Sequence, residues 1–516
     1  EFMGNLFKTT FCVFSFLILS FSLNSISQEV EEVIVTATKK EESIQDIAVS
    51  IQAFDADSIA ANQVYDLTDL AEIVPGFGVS KGIGSGSGFV MRGIGSYGVG
   101  AAVTSSFVAA INGHSVNEGV MTDLGFIDLE RIEVLSGPQG TLFGRNSVAG
   151  VVNLVTARPT DELGGYIDYE VGSLDRNVIK GAINVPISND VRMRLAFAQN
   201  SRDGIVKNLP IKDYFVLDTT GAVFDDRNDQ SIRLSVDWDI NDVTDLKFTY
   251  SGQKSEDNRP QEEVSFCEPD QFFGCSPWVR GPMNASADSR GIGAGFFGFF
   301  AALYPTTITN GYANSPRSSD FGSQYLNRVP MHYQEVEFTN LQLDRQLNDN
   351  LLLTAKFSYE TRRFMQMNDN DGSISVDPLL GAGQSLGLPP VVAELCFGTP
   401  NFGFCETVDS DRSYDFSDVV SNGSNAEINI ISDYDGPFNF TAGIYSYDFR
   451  NDNEYRVQTT GTQFIGSFAE HPYYPVVTNL LGIDFGGKGG VPFYQGLLPV
   501  VALANPALTA QGMLAL

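Results

Sequence analysis

The chain has 516 residues, with 63 acidic against 32 basic side chains and a net charge of −31. That balance repels a phosphate backbone and excludes nucleic acid as a partner. The length allows two or more domains, and 51 glycines among short alternating segments point to a mainly β architecture.

In chain order, Lys8 precedes an apolar run from Phe11 to Leu23, then small residues at Ser25 and Ser27. A membrane-spanning helix needs roughly 20 apolar residues. The shorter run, its basic flank and its small residues have the layout of an export signal, so residues 1–27 are expected to be a signal peptide cleaved before Gln28. Residues 29–158 then mix a β segment (Val33–Ala37), a helix-like stretch (Asp57–Leu70), a glycine-rich stretch (Gly76–Gly100) and β-like segments at Ile132–Leu135 and Val151–Thr156. This reads as one α+β domain of about 130 residues.

From Gly164 the pattern has period two. Ile232, Leu234, Val236, Trp238 and Ile240 fall on one face, and Ser231, Arg233, Ser235, Asp237 and Asp239 on the other. Strict alternation predicts a sheet with one apolar and one polar face. Strand candidates are 164–172, 176–187, 190–200, 229–240, 243–253, 333–346, 350–364, 424–433 and 437–451. Short polar turns at Ser188–Asn189, Asn241–Asp242, Asn348–Asp349 and Asp435–Gly436 alternate with long connections at 201–228, 254–332 and 365–423. A membrane β-barrel sorts its loops this way, with short turns on one side and long loops on the other. A soluble sandwich has no reason to.

The exported chain keeps Cys267, Cys275, Cys396 and Cys405, expected as two local disulfides in long loops. The histidines His114, His332 and His471 have no metal-type spacing, and no catalytic constellation stands out, so neither a cofactor nor an enzyme is expected. Gly93, Gly95 and Gly98 match a dinucleotide pattern, but no βαβ unit surrounds them. Asp369, Asp371 and Gly372 mimic part of a calcium loop in which Met367 fills the first ligand position.

Four stretches carry a family likeness: Leu70–Gly76, Val90–Gly95, Ile127–Leu135 and Ser136–Thr156. In that order, behind an export signal and ahead of alternating strands, they resemble the plug domain of TonB-dependent outer-membrane receptors. Glu31–Thr38 resembles that family's energy-coupling box. The likeness covers about residues 28–200 closely and the later strands in architecture only.

The resemblance implies a small α+β plug domain followed by an antiparallel transmembrane β-barrel, roughly 22-stranded in the family. The expected division is 1–27 signal peptide, 28–40 TonB-box segment, 41–158 plug and 159–516 the N-terminal part of the barrel. Nine strands in about 290 residues scale to on the order of 700 for 22, so the barrel is expected to be truncated here. The implied role is TonB-dependent active uptake of a ferric siderophore or similar iron complex at the bacterial outer membrane. Cobalamin or an oligosaccharide is the alternative cargo, and a passive channel or adhesin the alternative class. The implied partners are a periplasmic TonB-type coupling protein, outer-membrane lipid and a small-molecule or metal-chelate substrate. Carried over by position, Glu32, Val33, Ile34, Val35, Thr36 and Ala37 pair with TonB. Arg92 and Arg131 are candidate plug cations that lock onto barrel carboxylates. Gly82, Ile83, Gly84, Ser85 and Gly86 are a flexible apex facing substrate. Aromatics such as Phe272, Phe273 and Trp278 in a long loop are candidates to stack on it.

Overall fold

The computed structural model describes residues 34–35, 39, 42–45, 47, 49–81, 87–96, 106–117, 124, 126–144, 146–209, 221–259, 322–326, 328–369, 413–436 and 438–459, with backbone pieces at 266–267, 269–270, 274–275, 284–285, 393–399 and 402–408. The N-terminal elements are β1 (Ile34–Val35), β2 (Glu42–Ser43), β3 (Ile51–Asp55), α1 (Ala56–Ala61), α2 (Leu67–Ile73), β4 (Phe77–Lys81), β5 (Ser87–Met91), β6 (Ile94–Ser96), β7 (Phe107–Ile111), β8 (His114–Val116), β9 (Leu129–Ser136), α3 (Gly140–Phe143) and β10 (Gly150–Thr156). Their centre is a sheet in the order β3-β9-β10-β7-β8.

The expected single helix over Asp57–Leu70 is two short ones. Asp55 caps α1 by accepting the Ser58 N–H at 2.7 Å. Asp66 and Asp69 form a reciprocal capping box that restarts the chain as α2. The β7–β8 hairpin turns on Asn112 and Gly113, both at positive φ (51° and 70°), the pairing a two-residue hairpin turn demands. The core gathers Leu70, Phe77, Phe89, Phe107, Ile111 and Ile132, with the rings of Phe77, Phe89 and Phe107 5.2 to 6.5 Å apart. Gly150 is required where it stands, because a Cβ there would collide with Met91 Sδ and the Leu135 carbonyl.

The barrel strands are β11 (Gly164–Gly172), β12 (Arg176–Pro186), β13 (Val191–Arg202), β16 (Arg227–Asn241), β17 (Thr244–Asp257), β23 (Met331–Asn348), β24 (Leu351–Asp369), β27 (Ser413–Ser432) and β28 (Thr441–Thr459). Between them lie β14 (Val206–Asn208) and β15 (Val223–Phe224), the pieces β18 (Phe266–Cys267), β19 (Pro269–Asp270), β20 (Gly274–Cys275), β21 (Asn284–Ala285) and β22 (Ser323–Gln324), and the hairpin β25 (Ala393–Thr399) and β26 (Phe402–Val408). Among the described residues the nine long strands form one antiparallel sheet in sequence order, with β11 and β28 at its edges. Strand β27 begins eleven residues before the expected 424, because Ser413–Ser424 continues the ladder with β24 and β28 above the alternating segment.

Short turns are set by local side chains. Ser188 Oγ accepts the N–H of Asp190 and of Val191, and Asn241 and Asn348 accept from Val243 and Asn350. The alternation resolves as expected. On β16, Arg233, Ser235 and Asp237 are buried, at most 9% exposed, whereas Ile232, Trp238 and Ile240 are 39–46% exposed. The polar face is covered by the N-terminal domain, and the apolar face is left outward.

Candidate functional site

Charged contacts cluster at the junction between the N-terminal domain and the inner wall of the sheet. Three barrel strands, β11, β13 and β16, grip one corner of the domain. Arg194 on β13 donates to both carboxylate oxygens of Asp128, at 2.7 and 2.6 Å. Tyr166 on β11 donates to the same carboxylate at 3.3 Å, and Arg233 on β16 donates to the Ile127 carbonyl. Asp128 holds a left-handed backbone, φ 48°, immediately before β9. Next to this corner the chain leaves β10 and runs into β11. Arg158 on that link pairs with Asp237 and donates to Thr249 at 3.2 Å, and Asn184 accepts the Thr160 N–H at 2.7 Å. Burial pushes the Arg158 guanidinium down to about 10, against the favourable fields of Glu130 and Asp344, so it stays charged at neutral pH.

A second set of contacts reaches β23, β24 and β27. Val336 and Phe338, apolar residues on an otherwise polar inner face, join the core of the N-terminal domain. Glu360 accepts the Asn117 N–H at 3.0 Å, and Asn425 donates to the Ser115 carbonyl at 3.3 Å. Lys39, at φ 67°, pairs with Glu427 at 3.2 Å and lies 4.9 Å from the centre of the Phe143 ring.

The segment expected to pair with TonB is described at two residues. Ile34 and Val35 form β1 and pair with Ser43 and Glu42. Val35 is fully buried against Val108, Ala110, Leu135, Phe143 and Val151. Glu32, Val33, Thr36 and Ala37 lie outside the described residues, as do Gly82, Ile83, Gly84, Ser85 and Gly86. Among the described residues, Arg92 and Arg131 have partners inside the N-terminal domain. Arg92 donates to Ser50 at 2.8 Å, and Arg131 pairs with Glu130 and with Glu133, the latter at 2.9 Å, all inside the N-terminal domain. For Arg131 its own strand, β9, supplies both carboxylates. Among the described residues, the charged side chains that cross to the wall are those of Lys39, Arg158 and Asp128. At Asp128 the polarity is reversed: the domain gives the anion and the barrel the cation. The backbone sets Cys396 directly opposite Cys405 in β25–β26, whereas Cys267 and Cys275 fall in separate short ladders, opposite Asn284 and Pro269.

Residues 43–151 match the family profile described as TonB-dependent Receptor Plug Domain. The N-terminal domain is a TonB-dependent receptor plug. It is seated on the inner wall of the sheet. The chain is 27% identical over 199 residues to an iron-regulated outer membrane virulence protein of Vibrio cholerae, a match covering 36% of this chain and 30% of that protein. It is 31% identical over 153 residues to a vitamin B12 transporter of Vibrio vulnificus, covering 28% and 24%. In fold it is similar to the siderophore receptor PiuA of Acinetobacter baumannii, at TM-score 0.52 and 14% identity, covering 82% of this chain and 48% of that one. The chain thus spans about half the length of that solved relative.

Sequence reasoning missed Asp128, Lys39, Glu360, Asn425 and Glu427. Asp128 lies inside a stretch that resembles the family, but nothing local marks which of its carboxylates faces the wall. Lys39 and Glu427 are 388 residues apart, and no local pattern connects them.

Proposed function

We propose that this receptor imports a scarce nutrient by TonB-dependent active uptake, its cargo a ferric siderophore or a similar iron complex. The carrying observation is the plug itself, seated against the polar inner wall, with β1 of the coupling segment folded onto its second apolar cluster. The proposed division is 28–40 coupling segment, 41–158 plug and 159–516 barrel portion. In this reading Glu32–Ala37 adds as a strand to a periplasmic TonB-type protein. Gly82–Gly86 faces the cargo, and disulfides at Cys267–Cys275 and Cys396–Cys405 brace outer loops. Iron supply is favoured by the likeness to an iron-regulated Vibrio cholerae protein and to an Acinetobacter siderophore receptor. Cobalamin is the second reading, favoured by the Vibrio vulnificus transporter.

Deleting residues 31–37 tests the coupling. Uptake of radiolabelled cargo should vanish while binding at the cell surface persists. Undiminished uptake by the deletion variant removes TonB coupling through this segment.

A further inference from the structure

Among the described residues the plug meets the wall along two seams, and they are built differently. On the β11–β16 side the plug is covalently continuous with the wall through residues 157–163. That link is pinned by Arg158 to Asp237, by Thr160 to Asn184 and, beside it, by the bidentate Asp128–Arg194 pair. Bidentate charge-assisted contacts of this kind are the strong ones.

On the β23–β27 side there is no chain connection. There the plug presents β8, an edge strand of its central sheet. An edge strand points alternate N–H and C=O groups away from its partner, here at Ser115 and Asn117. The barrel fills that edge with two side chains in place of a strand: Asn425 takes the Ser115 carbonyl and Glu360 the Asn117 N–H. Gly423, the register partner of Glu360, keeps room for the carboxylate, since a Cβ there would meet Glu360 Oε1 at 2.8 Å. Two residues along β27 from Asn425, nearer the short turn, Glu427 holds Lys39 and so the chain just beyond β1. A pull on the coupling segment reaches Glu427 first and the β8 edge next.

We propose that β8 is the seam on which the plug parts from the wall, with Glu360 and Asn425 as positioning residues that hold it shut. This deepens the uptake reading above and rests on it. The cargo path opens between β8 and strands β24–β27, while the Asp128 corner stays attached as the hinge.

The test uses two single-cysteine variants of the receptor in live cells, Asn117→Cys at the seam and Ile127→Cys at the hinge. Both positions are half-buried, and both use backbone groups, not side chains, in the wall contacts described. The probe is a membrane-impermeant fluorescein maleimide, with and without a protonophore. Asn117→Cys should label at least about fivefold faster in energised cells, and Ile127→Cys at the same slow rate in both. Adding Glu360→Gln and Asn425→Ala to Asn117→Cys should raise the protonophore-treated rate towards the energised one, with Ile127→Cys again unmoved. Equal acceleration at both positions means that the plug leaves as a whole and overturns the seam. Labelling at the protonophore rate for both in energised cells also overturns it. The uptake reading falls with it only where deletion of residues 31–37 leaves cargo uptake intact as well.

Discussion

Asp128 occupies a backbone conformation, φ 48°, that residues other than glycine rarely adopt, and it is nearly buried between donors from two barrel strands, β11 and β13. Removing the largest donor leaves a desolvated carboxylate with only the Tyr166 hydroxyl. Arg194→Ala should therefore loosen the plug's attachment by about 2–3 kcal/mol. The check is an earlier denaturant midpoint for plug protection against trypsin; an unchanged midpoint contradicts it. His114 makes a second prediction. Burial holds its imidazole well below the usual histidine range, aided by the charges of Lys356, Lys39 and Arg158, so it is neutral in the folded plug. The unfolded chain takes up a proton near pH 6.5 and the folded one does not. Plug stability should be flat above that pH and fall by up to about 1.4 kcal/mol per unit below it. Hydrogen exchange of β7 and β8 between pH 5 and 8 measures the slope, and His114→Asn should flatten it.

At the scale of elements, a strand of the barrel is two half-surfaces with different solvents. On β16 the buried Arg233, Ser235 and Asp237 meet the plug and its neighbours, and Ile232, Trp238 and Ile240 form the outward apolar face, the face a membrane barrel turns to lipid. Ile232→Arg places a charge on the outward face and should cost about 2–4 kcal/mol at mid-bilayer depth. Equilibrium unfolding in lipid vesicles measures it, and a cost near zero would put Ile232 outside the bilayer. Most strand positions are legible because a period of two survives any tertiary arrangement. The paired helices were less legible. The caps at Asp55 and Asp66 divide what the apolar pattern alone runs together, since Leu67 and Leu70 continue the apolar face that Ile59 and Val64 begin.

For the whole molecule, the plug and the sheet share one apolar contact that alternation would not place there. Val336 and Phe338 face inward among polar neighbours and complete the plug core. Phe338→Ala should destabilise the seated plug by about 3 kcal/mol while leaving the β17–β23–β24 ladder intact. Faster exchange at Phe77–Lys81 and Phe107–Ile111, with unchanged exchange in the ladder, is the expected pattern.

The strands, the loop sorting, the plug resemblance and the apolar face of each strand are legible before any fold is known, because all of these follow from neighbours along the chain. Which charges meet is settled by docking and register. Arg92 and Arg131 find partners inside the plug, while Asp128 finds Arg194 66 residues away and Lys39 finds Glu427 388 residues away. A charge is paired by whatever register and docking bring within reach, and neither distance is written in local sequence.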